Sequence, residues 1–144
     1  IEGIQDGTID AIASDHRARS KDTKVQPFSA ASVGASGIET LFSITLDLVD
    51  KKIIDINKAI SFLTINPTKI LGIDSPSLEE KKVADFIVFD ENEAYTIKQE
   101  NLKTNPTPFE GKKIYGKILA TYINGQVAFM NQIFKNKIIK WLMI

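Results

Sequence analysis

The spacing of apolar residues changes repeatedly along this chain, and each change predicts a different element. The run Thr8-Ile-Asp-Ala-Ile-Ala-Ser14 reads as a short buried strand, with a helix fragment as the alternative that periodicity leaves open at this length. A polar, glycine-bearing stretch through Gly37 reads as loop. Leu41, Ile44, Leu48 and Val49 then fall on one face of a helix that begins near Ile38 or Glu39 and ends at Asp50-Lys-Lys52. Asp55 is placed to cap a second helix, whose apolar face is Ile56, Ala59, Ile60 and Leu63. Asn66-Pro67 predicts a cap and a first-turn proline for a one-turn helix that Gly72 stops.

Beyond Ser75-Pro76-Ser77 and the charged Glu79-Glu-Lys-Lys82, the pattern turns to β. Ala84 to Phe89 predicts one strand and Tyr95 to Ile97 another. Asn105 to Gly111 reads as a loop. Residues Ile114 to Ile123 and Gln126 to Met130 flank Asn124-Gly125, a pair that tolerates the positive φ of a tight hairpin turn. The tail from Asn131 to Ile144 carries an apolar stripe that reads as a packing face, with a surface-seeking amphipathic helix as the alternative, and it is too short to span a bilayer.

Composition narrows the function classes. With 144 residues, the chain is well short of the roughly 250 that a complete (β/α)8 barrel uses. It starts on Ile1 rather than Met and reads as a C-terminal piece. The 18 basic and 18 acidic side chains cancel, so no global field favours nucleic acid or an anionic membrane. There is no cysteine, which removes disulfides and thiolate metal sites and is compatible with a reducing cytoplasm.

Asp15-His16 stands where the first apolar run ends. In an α/β barrel, strand ends face the active site, so a carboxylate there is placed for metal or proton chemistry. Capping of a turn is the competing reading. Adjacent strand residues point to opposite sides, so His16 is expected to pack or to support the site rather than to ligate. Glu39 is expected to favour the N-terminus of the following helix, and Gly37 to serve the turn into it. Arg19 has the planar donor fork that matches a carboxylate, with a solvated loop arginine as the alternative.

In order, the segments Asp6-Gly7, Ile12-Ala-Ser-Asp-His16, Gly34, Gly37-Ile-Glu-Thr40, Asn66-Pro-Thr-Lys-Ile-Leu-Gly72, Ala84-Asp85, Thr107-Pro-Phe-Glu-Gly111 and Asn124-Gly125 resemble the C-terminal third of the dihydroorotase branch of the cyclic amidohydrolases. The resemblance implies an α/β fold: residues 1–78 as the C-terminal part of a metal-dependent TIM barrel, its last strand and following helices. Residues 79–130 would be the C-terminal portion of a small β-sandwich, and 131–144 a tail. It also implies zinc-dependent interconversion of dihydroorotate and N-carbamoyl-aspartate in a cytoplasmic enzyme. Asp15 would be metal ligand and proton shuttle, and Val33-Gly34 the backbone that approaches the substrate ring.

The three residues after His16 depart from the family's Ala-Pro-His and read Arg17-Ala18-Arg19, so the family's carboxylate-binding histidine is replaced by Arg19, a carboxylate contact or a solvated loop arginine. Zinc needs at least three protein ligands, so the other ligands must come from the missing N-terminal part of the same protein, and the chain alone is expected to be inactive. The altered triplet keeps a second class open, a non-catalytic dihydroorotase-like subunit supporting aspartate transcarbamoylase; a homo-oligomer is also possible. A third reading is an allantoinase, or a dihydropyrimidinase or hydantoinase. Neither nucleic acid nor membrane is expected as a partner.

Overall fold

The computed structural model describes residues 1–104, 106–132 and 134–135. Five helices come first: α1 (Glu2–Gln5), α2 (Lys21–Lys24), α3 (Leu41–Asp50), α4 (Ile56–Leu63) and α5 (Ile65–Leu71). Five strands follow: β1 (Phe86–Asp90), β2 (Tyr95–Thr96), β3 (Lys113–Ile114), β4 (Lys117–Ile123) and β5 (Gln126–Met130), with a 3₁₀ turn at Gln99–Asn101. Most of the predicted tail, Ile133 and residues 136–144, lies outside the described residues. Among the described residues, no helix is long and apolar enough to cross a membrane.

The local signals explain where the middle helices start and stop. Asp55 Oδ1 accepts the Lys58 N–H at 2.8 Å, the cap that frees the first turn of α4 from an unpaired donor. Gly72 ends α5 in the left-handed conformation at φ 66, where a Cβ would be strained. Two expectations are corrected here. α5 runs for seven residues rather than one turn, and its N-cap is Thr64. Asn66 does not cap; its side-chain amide donates to the Asp10 carbonyl at 2.8 Å and so holds the N-terminal segment instead.

The predicted strand from Thr8 to Ser14 does not form as a ladder. A strand needs a neighbouring strand to take its alternate N–H and C=O groups, and here a helix end lies alongside. Ile12 N–H donates to the Phe62 carbonyl, Ile9 N–H to Gly3, and little else pairs. The polar stretch expected to be irregular contains the single turn α2, and the short α1 is a further element that apolar spacing does not predict. The third helix starts at Leu41, two or three residues later than expected, after a turn at 38–40.

The β elements form two small sheets, ordered β1-β4-β5 and β2-β3, all antiparallel. Asn124 at φ 52 and Gly125 at φ 74 make the tight turn between β4 and β5 that the sequence predicts. The expected long strand from Ile114 is split, because Gly116 takes φ 84 between β3 and β4. That break lets α3 approach: Leu46 packs against Gly116, and the buried Ser43 hydroxyl donates to the Gly116 carbonyl at 3.1 Å and lies 2.8 Å from the Tyr95 hydroxyl. Phe42 meets Phe89 edge to face at 4.8 Å, an arrangement aromatic rings favour. Asp47 adds an electrostatic clip, with Lys51 and Lys112 ammonium groups each 2.7 Å from the same oxygen. Burial alone pushes this carboxyl up, but the two lysine hydrogen bonds outweigh it and hold it below the usual range.

The core of Leu46, Ile54, Ala59 and Phe62 is therefore shared between α3, α4 and the link between them. It is small. The chain exposes 10449 Å² at 16.0 kDa, against about 7400 Å² for a compact monomer of that mass. One uncovered row crosses the larger sheet, where Ile87, Thr121 and Phe129 lie side by side and Ile87 and Phe129 are exposed.

Candidate functional site

Asp15 occupies the end of the extended N-terminal segment in a backbone conformation of φ 40. Side chains other than glycine seldom adopt this region, and aspartate is among those that tolerate it. Holding it there costs roughly 1–3 kcal/mol, a strain found most often where function fixes the geometry. The carboxylate is 83% exposed and lies 3.3 Å from Arg17 Nε. An ion pair so exposed to water contributes little to stability, so the pair does not explain the strained backbone.

The loop 32–38 is strapped along residues 14–24 by a continuous set of hydrogen bonds. Arg17 N–H donates to Ala35 O at 2.9 Å, Arg19 Nε to Val33 O at 3.1 Å, and the Lys24 ammonium to both Ser32 O and Gly34 O at 2.9 Å. Ser32 N–H donates in turn to Thr23 O. At the other end, His16 Nδ1 accepts from the Gly37 and Ile38 N–H groups at 3.2 and 3.3 Å. His16 thus holds the loop backbone through Nδ1.

This closeness requires glycine at position 34 and leaves little room at position 37. A Cβ on Gly34, at φ 109, would sit 2.7 Å from Arg17 Cβ and 2.8 Å from Arg17 O. A Cβ on Gly37 would stand 3.0 Å from Ser14 O. Asp15, Arg19, Val33 and Gly34 are thus brought to one region, with Val33 exposed and Arg19 holding its carbonyl.

Glu39 is the residue whose role the sequence does not disclose. It does not serve the N-terminus of α3. Its two oxygens accept the Lys103 N–H at 3.0 Å and the Thr104 N–H and hydroxyl at 2.9 and 2.8 Å. Ser36 reinforces the junction through its N–H to Pro106 O and its hydroxyl to Thr104 Oγ1. Nothing local in the sequence signals a contact across 65 positions. Partial desolvation raises the Glu39 carboxyl, but the donors from Lys103 and Thr104 outweigh it and keep it below its ordinary value. A depressed carboxyl contributes stability above its unfolded pKa and loses it as pH falls through the folded one. Glu39→Gln is therefore expected to cost about 1 kcal/mol at pH 7 and to flatten the loss of stability on acidification below about pH 4.5. Thermal melts of the full-length protein at pH 7 and pH 4 check this; a parallel downward shift at both would disprove it.

Among the described residues, no three His, Asp or Glu side chains lie close enough together to hold a metal ion. Asp15 is the exposed carboxylate of this region, and His16 Nδ1 is already taken by two N–H donors.

The sequence profile of the amidohydrolase family matches residues 1–128. The chain belongs to that family. It is 39% identical over 132 residues to the dihydroorotase of Thermoanaerobacter sp. strain X514, covering 90% of this chain and 30% of that protein. A second dihydroorotase, from Caldanaerobacter subterraneus subsp. tengcongensis, is 39% identical over 140 residues, covering 95% of this chain and 31% of that protein. Among solved structures, the L-hydantoinase (dihydropyrimidinase) from Arthrobacter aurescens superposes with a TM-score of 0.81 at 23% identity, over 90% of this chain and 30% of that one. The chain therefore spans about 30% of the length of these amidohydrolases, and the fold of that part is shared.

Proposed function

We propose that this chain is the C-terminal part of a dihydroorotase that reversibly hydrolyses dihydroorotate to N-carbamoyl-L-aspartate, in cytoplasmic pyrimidine biosynthesis. The observation that carries the proposal is Asp15. It is held at φ 40 with an exposed carboxylate paired with the solvated Arg17, in a chain 39% identical to a dihydroorotase over 132 residues. On this reading, residues 1–78 complete the barrel, 79–130 are the C-terminal share of a β-sandwich, and 131–144 are a tail. The open row of Ile87, Thr121 and Phe129 is where the rest of the sandwich would pack.

The donor set fits a divalent cation in part. Asp15 would hold zinc as one carboxylate ligand, the others coming from the remainder of the barrel. When bound, zinc supplies an activated water and polarises the ring amide. The work of this chain's residues follows from their positions. Asp15 accepts the proton released as water adds to the amide carbon, and returns it to the ring nitrogen as the C–N bond breaks. Arg19, in place of a histidine, engages the substrate carboxylate through guanidinium nitrogens other than the Nε that holds Val33. The Val33-Gly34 backbone borders the ring because Gly34 has no side chain to keep it away.

The test is a substrate panel with the full-length protein: dihydroorotate, allantoin, dihydrouracil and hydantoin. Turnover of dihydroorotate with little of the others is expected. Ring opening of allantoin, dihydrouracil or hydantoin without dihydroorotate would refute the choice of substrate. One observation favours a second reading, a non-catalytic subunit supporting aspartate transcarbamoylase: Arg17-Ala18-Arg19 replaces the family triplet, and Arg17 is drawn onto Asp15 itself. No turnover of any substrate, together with enhanced activity of a co-purified aspartate transcarbamoylase, would favour that subunit.

A further inference from the structure

Lys24 stands at the end of α2, where no sequence motif singles it out. Its ammonium spans the loop that borders the proposed ring site, donating to Ser32 O and Gly34 O at 2.9 Å each. The two carbonyls flank Val33, whose own carbonyl is taken by Arg19. Three successive carbonyls are therefore fixed by two cations. A peptide plane has one free rotation about each flanking bond, so anchoring the carbonyl of Gly34 and those before it sets where the Val33-Gly34 amide groups point.

Lys24 makes no ion pair among the described residues. Its acceptors are neutral carbonyls, so the two hydrogen bonds are what offsets the partial desolvation of its charge. Methionine would fill the same volume without removing a charge from water. What the ammonium adds is two strong, charge-assisted hydrogen bonds at a loop whose glycine conformation, φ 109, is not self-maintaining.

We infer that Lys24 is a positioning residue for substrate binding: by anchoring the carbonyls of Ser32 and Gly34 on either side, it keeps the Val33-Gly34 peptide in the orientation that receives the cyclic amide. This rests on the reading of the Asp15 site given above. It does not place Lys24 in contact with the reacting atoms.

The experiment compares Lys24→Met and Lys24→Arg in the full-length protein. Lys24→Met is expected to raise KM for dihydroorotate about tenfold, the size of one lost charge-assisted interaction, with kcat changed less than about twofold, since the proton path through Asp15 is untouched. Lys24→Arg, which keeps two donors and the charge, is expected to restore KM to within about threefold of the parent. Unchanged KM in Lys24→Met, or equal losses in Lys24→Arg and Lys24→Met, would overturn the inference while leaving the dihydroorotase reading intact.

If the parent protein does not turn over dihydroorotate, that reading fails by itself, and hydrogen exchange decides on Lys24. Faster exchange confined to amides 32–36 in Lys24→Met supports the positioning role. Unchanged exchange there, or faster exchange throughout with a lowered melting temperature, refutes it.

Discussion

Asp15→Asn in the full-length protein is expected to lower kcat on dihydroorotate by about a thousandfold or more while leaving the melting temperature within about 1 °C. The amide keeps the size and the hydrogen-bonding shape of the carboxylate but cannot accept and return a proton, and a positioned acid-base group typically supplies roughly 10²–10⁴ in rate. It is also a much weaker metal ligand, so the loss falls at the upper end. Stability is expected to be nearly untouched because the carboxylate is 83% exposed and its pairing with Arg17 is a solvated one. Asparagine also tolerates the positive φ that Asp15 adopts. A variant that retains a tenth or more of the parent's kcat would remove Asp15 from the chemistry.

The second large effect is expected at Gly34. Gly34→Ala places a methyl group 2.8 Å from a backbone carbonyl oxygen, that of Arg17, and forces φ 109 on a residue with a Cβ. Neither obstacle yields easily: the oxygen belongs to the main chain, and the conformation is disfavoured whatever the space. Together they cost roughly 2–4 kcal/mol, and the loop escapes by moving away from residues 16–19. Movement of about 1 Å at a substrate-bordering peptide costs on the order of a hundredfold in kcat/KM.

Gly7→Ala is the control. Gly7 has φ 89, but a Cβ added there would meet nothing within 4 Å, so the variant should lose about 1 kcal/mol with normal activity. Equal behaviour of the two variants in melting and kinetic assays would mean that the Gly34 contact with Arg17 is not what shapes the site.

Asp15 and Gly34 are legible in the sequence for different reasons. Asp15 stands out because a carboxylate ending an apolar run is a local pattern, and Gly34 because the spacing of the glycine-rich segment matches a family. The strain at each is not legible, since φ depends on what the loop is tied to. Lys24 and Glu39 carry no such signal. Lys24 reaches carbonyls eight and ten positions away, and Glu39 reaches Thr104 across 65; no periodicity or turn rule links such pairs. Glu39 misleads because an acid beside a helix start is locally sufficient to suggest a dipole role, while a distant pair of backbone N–H groups competes for it.

By itself the sequence determined the helices α3 and α4, the Gly72 stop, the Asn124-Gly125 hairpin and the identity of the acid that ends the first apolar run. Each of those depends on interactions within a few residues, which capping, glycine conformation and apolar spacing encode directly. Tertiary structure decided the rest. The Thr8 to Ser14 segment forms no ladder because strand identity belongs to a pair of segments and not to one. The β3–β4 break exists because Gly116 must admit Leu46. The loop 32–38 takes its shape from cations, a histidine and a distant glutamate whose contacts exist only once the chain has folded.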